Sequence, residues 1–246
     1  MKLRLKKLLG YAAAIVVILL GWAALSLIIA NPALPLPTVA LSQLWQRFPD
    51  MLPHLGISLW RVLLAMSIGT LGGTVLGLII GRSPRIDLVA APLLYVLYPV
   101  PKIVFVPVLL VLLGLGSAPA IVLIATVIFF QTLVTARDSA KSISPDLILS
   151  VRSLGANRID IARHVVVPYT LPSIFTALRI STGTAIAVLF ITESIAGNTG
   201  IGFYIVNAWG RIDYPTMFAG IIIMALMGVV LYEVIGFCEQ KLVRWK

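Results

Sequence analysis

Residues 8–30 form a run of 23 positions with neither a charge nor a proline. That exceeds the ~20 apolar residues a helix needs to cross the hydrocarbon core of a bilayer. Five more runs repeat the theme. Residues 62–80 and 118–136 carry no charge; 88–113 holds only Lys102, 171–196 holds Arg179 and Glu193, and 216–238 holds Glu233. With 60% hydrophobic and 11% charged residues, too little polar material remains for a soluble surface, where charged residues run at about 25%. The sequence predicts an all-α membrane protein of about six transmembrane helices, one domain over 1–246.

The opening MKLRLKK precedes an apolar run too long for a signal-peptide core, and no small-residue cleavage site follows, so 8–30 reads as the first span. The net charge of +10 is a topology signal rather than a nucleic-acid footprint, and no nucleic-acid partner is expected. Six spans place fourteen Lys and Arg on one side and only Arg47, Arg61 and Arg211 on the other. By the positive-inside rule the N- and C-termini are then cytoplasmic. The lone cysteine, Cys238, excludes an internal disulfide, and with only His54 and His164 there is no metal-ligand spacing.

The segment 31–38, NPALPLPT, is too proline-rich for a helix. Thr38 is placed to cap a short amphipathic helix, VALSQLWQRF, on the outer surface. Glycines at 69, 73, 77 and 81 form an i,i+4 ladder, which lets a second helix approach closely, either within one subunit or across a dimer seam. Pro92, Pro99, Pro101 and Pro107 break the third span, and Lys102 lies beside the break. A mid-bilayer charge costs roughly 3 kcal/mol, so Lys102 faces a cavity or partner, or else the span is shallow and the lysine interfacial. Pro99, Pro101, Lys102 and Glu193 are candidates for a translocation path, Glu193 being either an outer-surface residue or part of a gate. Arg179 is positioned to snorkel.

No G-x-x-x-x-G-K-[ST] occurs, so the chain hydrolyses no nucleotide itself; H-E-x-x-H and G-x-S-x-G are also absent. A stand-alone membrane enzyme or channel would need convergent polar residues in the spans, which are missing. The polar exception is 146–172, DLILSVRSLGANRIDIARHVVVPYTLP. Ser144-Pro145 is a helix start. Gly155 is a turn, 157–166 a second amphipathic helix, and Pro168 and Pro172 end it and open the next span. Such a helix-Gly-helix element transmits force better than a loose loop.

This segment resembles the cytoplasmic signature of binding-protein-dependent ATP-binding-cassette importer permeases: E-A-A, three residues, Gly, nine residues, I-x-L-P. Gly155 matches, and Val165-Val166-Val167-Pro168 fills the last four positions. The E-A-A positions hold Leu149-Ser150-Val151, so the acidic residue is absent. The likeness extends from about His54 to Trp245, around a core permease region of 54–240, through HLGISLWRVLLA, LPSIFTALRIS and ESIAGNTGIGFYI to KLVRW, and is similar to the nitrate, sulfonate, taurine and bicarbonate branch.

The resemblance implies a type I importer permease, in a prokaryotic cytoplasmic membrane, working by alternating access on a small, anionic solute; a vitamin precursor or aromatic acid is the alternative. It implies a homodimer, an extracytoplasmic solute-binding protein, and cytoplasmic ATP-binding subunits that carry the ATP and Mg, with no cofactor in this chain. Those subunits dock on a coupling loop at 138–170, through Leu154, Gly155, Ala156, Arg158, Ile161 and His164.

Overall fold

The computed structural model describes the backbone of residues 2–245 and the side chains from residue 10 onward, except those of 12, 196 and 246. The side chains of Lys2, Arg4, Lys6 and Lys7, counted in the charge asymmetry, lie outside the described residues. The described residues are helical throughout, with no strand.

Two helices make the centre, α2 (Pro37–Arg82) and α5 (Ser117–Lys141), and their contact is the most extensive in the molecule. The glycine ladder explains it. A Cβ on Gly69 would lie 2.6 Å from the Ala125 carbonyl, one on Gly77 2.5 Å from the Leu133 carbonyl, and Gly73 and Gly81 meet Thr132 and the Arg137 carbonyl as closely. Backbone packs on backbone because one helix has no side chains in the way. The ladder is therefore an intrasubunit seam, and the dimer-seam alternative is overturned. Ile124 and Ile128 of α5 and Val62 and Ala65 of α2, all fully buried, extend this seam into the main core.

The first helix, α1 (Lys2–Ile29), touches this core little; Trp22 stacks on Phe218 at 5.2 Å, and the Tyr11 hydroxyl donates to Glu233. The expected capped surface helix does not exist as a separate element. Leu36 precedes α2, Thr38 lies inside it, and the 46-residue helix runs through Pro49 and Pro53. At 1.5 Å per residue it is about 69 Å long, more than twice the ~30 Å hydrocarbon core. Pro37 in the first turn supplies a start that needs no side-chain cap.

The third span is α3 (Pro84–Leu97), a 3-10 turn at Lys102–Phe105 and α4 (Val106–Leu113), its two arms bent by 76°. Only Pro99 and Pro101 make the break, each lacking an N–H for the helix ladder, with Pro101 itself extended at ψ 102°. Pro92 sits inside α3, and Pro107 lies in the first turn of α4. Residues 117–141, 158–195 and 214–242, with α2, are long and apolar enough to cross a membrane, and the bent pair makes a fifth span. In α1 the apolar stretch is Ala13–Ile29.

Candidate functional site

The 138–170 region folds as two short helices rigidly tied to the bundle. Ser144 caps α6 (Pro145–Ser153), its hydroxyl accepting from the Leu147 N–H at 3.2 Å with Pro145 in the first turn. Leu154 ends α6, and Gly155 turns the chain at φ +88°, where L side chains are strained. Asn157 then caps α7 (Arg158–Ile161) in a reciprocal box with Asp160.

Pro168 and Pro172 do not stop the helix as expected. One π turn, Ala162–Val166, carries α7 into α8 (Val167–Ala196), with the Val167 N–H reaching back to the Ala162 carbonyl. Pro168 has no N–H to offer and its ring would strike the carbonyl four residues back. Widening the preceding turn relieves that clash, so the chain passes the prolines without a kinked stop.

The six expected docking residues divide. Leu154 is 87% exposed at the tip, with Gly155 exposed beside it. Arg158 and His164 are exposed, the His164 ring bonding the Asp160 carbonyl at 3.0 Å; Ala156 is half-buried. Ile161 is half-buried and packs against the cluster of Ala140, Ile143, Val165 and Val166, because α7 must bury one face to stay attached. Ile159, 76% exposed, faces outward on the same helix. Leu149, where the family glutamate falls, is also exposed.

At the broken span, Lys102 reaches back and its ammonium donates to the Leu97 and Tyr98 carbonyls at 2.8 and 2.6 Å, where the helix ladder ends. Its ammonium lies 4.6 Å from the Phe130 ring centre. It lines a cleft of about 390 Å³ with Val127 and Gln131 of α5 and Thr184 and Val188 of α8. Pro99 and Pro101 shape the break and are exposed. A second cleft, about 310 Å³, continues along the same rows with Thr135, Ser173, Thr176 and Ile180. Thus 127, 131 and 135 on α5 face 176, 180, 184 and 188 on α8, both at i+4 steps. The Gln131 Oε1 atom is buried without a partner. That polar row was readable as periodicity within an apolar span, but no single motif marks it.

Glu193 is elsewhere. It is neither an outer-surface residue nor part of this cleft, but the buried centre of a polar cluster at the end opposite the 138–170 loop. Arg61 Nη1 meets Glu193 Oε1 at 2.8 Å, the Ser58 hydroxyl bridges both carboxylate oxygens, and the Gly202 N–H donates at 2.9 Å. Arg61 also donates to the Thr199 carbonyl and hydroxyl and to Ser117. Ser58 and His54 accept the N–H groups of Ile201 and Gly200. These bonds hold the loop after α8 and the start of α9 (Ile201–Gly210), a helix the sequence did not reveal. Arg61, counted as an outer loop charge, is buried here as the carboxylate's counter-ion. Arg179 pairs with Glu239 of α10 (Tyr214–Leu242) at 2.9 Å rather than snorkelling alone.

The helical bundle, the loop after α5 and the matched signature decide the relationship. The family model for the binding-protein-dependent transport system inner membrane component matches residues 73–244. The chain belongs to that family. It is a multi-pass inner-membrane permease subunit of an ATP-binding-cassette transport system, not an enzyme. It is 30% identical over 238 residues to the taurine transport system permease protein TauC of Escherichia coli, covering 94% of this chain and 86% of that one. It is 28% identical to the putative aliphatic sulfonates transport permease protein SsuC of Bacillus subtilis, over 80% of this chain and 71% of that one. The riboflavin transport system permease protein RibX of Chloroflexus aurantiacus is 29% identical, over 97% and 90%. In fold, the permease resembles a chain of the inward-facing MetNI methionine transporter (TM-score 0.61, 22% identity, 80% of this chain and 97% of that one). It also resembles one of the bacterial alginate transporter solved with its alginate-bound periplasmic protein (0.67, 16%, 97% and 96%). The type I importer permease fold and the sulfonate–taurine branch of the family both agree with the sequence reading.

Proposed function

We propose that two copies of this permease form the translocation path for a small anionic solute of the sulfonate or taurine kind. A solute-binding protein delivers the solute outside, and ATP-binding subunits docked on 138–170 drive alternating access. The observation that carries this reading is Lys102, an ammonium held at a broken span in a cleft with Gln131 and Thr184 on its walls. A cation facing a recess inside a spanning bundle attracts an anion weakly, which suits passage better than capture. The buried Gln131 Oε1, left without a partner in this cleft, supports the second copy, since an amide oxygen in a spanning bundle is costly unless a wet channel or a neighbour satisfies it. The positive-inside asymmetry supports a cytoplasmic side for the loop and both termini. ATP and Mg are then held wholly by the docked subunits.

Coupling requires contacts that differ between two states, because only those shift an equilibrium. The loop is built for this. Its core face is fixed to the ends of α2 and α5 through Ile148, Val151 and Ile161, so force at Leu154 and Ile159 moves the spans as well.

The test is uptake in proteoliposomes containing permease, ATP-binding subunits and binding protein. Lys102→Glu reduces uptake of taurine or an alkanesulfonate far more than Lys102→Arg does, at equal complex yield. Near-normal uptake in both variants would refute the cationic cleft. The likeness to a riboflavin permease favours a second reading, a larger neutral solute, for which both variants transport alike.

A further inference from the structure

A concentration of positive charge lies beside the docking tip and shares Ala156, Arg158 and Ile161 with the expected docking residues. Between the α2–α3 turn and the coupling helices lies a groove of about 840 Å³ lined by Arg82, Arg85, Arg152 and Arg158, with Ile148, Ile161 and Val166 on its floor. No carboxylate lines it. Among the described residues none of the four arginines makes an ion pair; Arg82 donates only to the Ala140 carbonyl, at 3.3 Å. The acidic side chains nearby are committed elsewhere: Asp87 to Arg137 and Lys141, Asp138 to Arg137, and Asp160 to the Asn157 N–H. Four guanidinium groups around one groove repel one another unless an anion joins them.

We infer that this groove binds the phosphate of an anionic phospholipid. Planar guanidinium forks suit phosphate oxygens. Depth and shape favour a lipid over free phosphate. Arg82 ends α2 just after its apolar run, and Arg85 lies in the first turn of α3, both where a headgroup sits. From Arg85 onward α3 presents Leu88, Val89, Leu93 and Val96 exposed, an apolar wall along which acyl chains can lie. Basic pockets between helices at the membrane surface recognise lipid headgroups by this combination. Two walls of the groove belong to the coupling helices, so the lipid would tie the moving loop to the α2–α3 turn. Docking on the α6–α7 tip leaves Arg82 and Arg85, on the α2–α3 side of the groove, free.

The experiment uses the permease in complex with its ATP-binding subunits, in nanodiscs of phosphatidylcholine with or without phosphatidylglycerol, and counts retained lipids by native mass spectrometry. Wild type retains phosphatidylglycerol in preference to phosphatidylcholine. Arg85→Gln weakens retention ~5-fold, the factor expected for one basic residue at a membrane surface, while Arg85→Lys keeps most of it. Arg163→Gln, an equal charge loss outside the groove, retains the lipid. Equal loss in Arg163→Gln, or no loss in Arg85→Gln, overturns the site. Displacement by millimolar inorganic phosphate without any lipid preference assigns the groove to a soluble phosphate instead. Retention by free permease that vanishes in the complex assigns it to an acidic segment of the ATP-binding subunit. Either result refutes the lipid, and none depends on which solute is transported.

Discussion

Arg61 of α2 and Glu193 of α8 meet at 2.8 Å with 3% and 0% of their side chains exposed. Ser58, Ser117, Thr199 and the Gly202 N–H surround them with further hydrogen bonds, so the pair offsets its desolvation with hydrogen bonds as well as Coulomb attraction. Removing one member strands the other. Glu193→Ala is expected to cost about 3–5 kcal/mol, seen as a large drop in thermal stability of the purified protein. The double variant Arg61→Ala/Glu193→Ala costs less than the sum of the singles; simple additivity would mean the two charges are not coupled.

The glycine ladder predicts position-specific intolerance. Gly73→Val puts a branched side chain into Thr132 and the Phe129 carbonyl, with backbone on the far side that cannot move. It should abolish recovery of folded protein. Gly72→Ala meets only the Phe129 ring at 3.4 Å, ordinary contact that a ring edge accommodates, so it should stay within about 1 kcal/mol of wild type. Similar yields for the two variants would contradict the α2–α5 seam.

Gly155 is constrained by its backbone alone, since a Cβ there meets nothing within 4 Å. At φ +88° a β-branched residue is strained by roughly 1–3 kcal/mol. Gly155→Val should leave the protein in the membrane but reduce co-purification of the ATP-binding subunits or uncouple their hydrolysis from transport. Wild-type coupling in this variant would show that the turn is not part of the docking element.

The missing acidic residue gives a prediction of the opposite sense. Leu149, Leu154 and Ile159 are all exposed, and the proposed docking on this loop would rest on apolar contact in place of a carboxylate. Leu149→Glu should bring no gain in assembly with the native ATP-binding subunits. Ile159→Glu should weaken assembly about tenfold or more, because it places a charge where an apolar side chain is buried on docking. Pull-down yield with each variant decides; stronger assembly with Leu149→Glu would overturn the apolar interface.

Much of the loop was readable in advance, for a local reason. Ser144-Pro145, Gly155 and Asn157 act on their own neighbours through capping bonds and one special φ, so the residues alone specify cap, turn and second start. Its far end was not. Pro168 and Pro172 are helix breakers in isolation, and a π turn together with the buried Val165 and Val166 overrides them. Ile161 and Ile159 differ by two positions, and which faces out is decided by what α7 packs against.

What the sequence alone determined is the solvent of this protein and the unit it is built from. Long uncharged runs must be spanning helices, because backbone groups in hydrocarbon can be satisfied only within the segment, and the glycine spacing dictates that some helix approach α2 closely. Which helix that is, α5 of the same chain, was settled only by tertiary structure. So were the burial of Glu193 against Arg61, 132 residues away in sequence, and the meeting of Lys102 with Gln131 and Thr184 in one cleft. A lone charge in an apolar span states that it needs a partner or water. Its partner is chosen by the packing of elements far apart in the chain, about which local sequence carries no information.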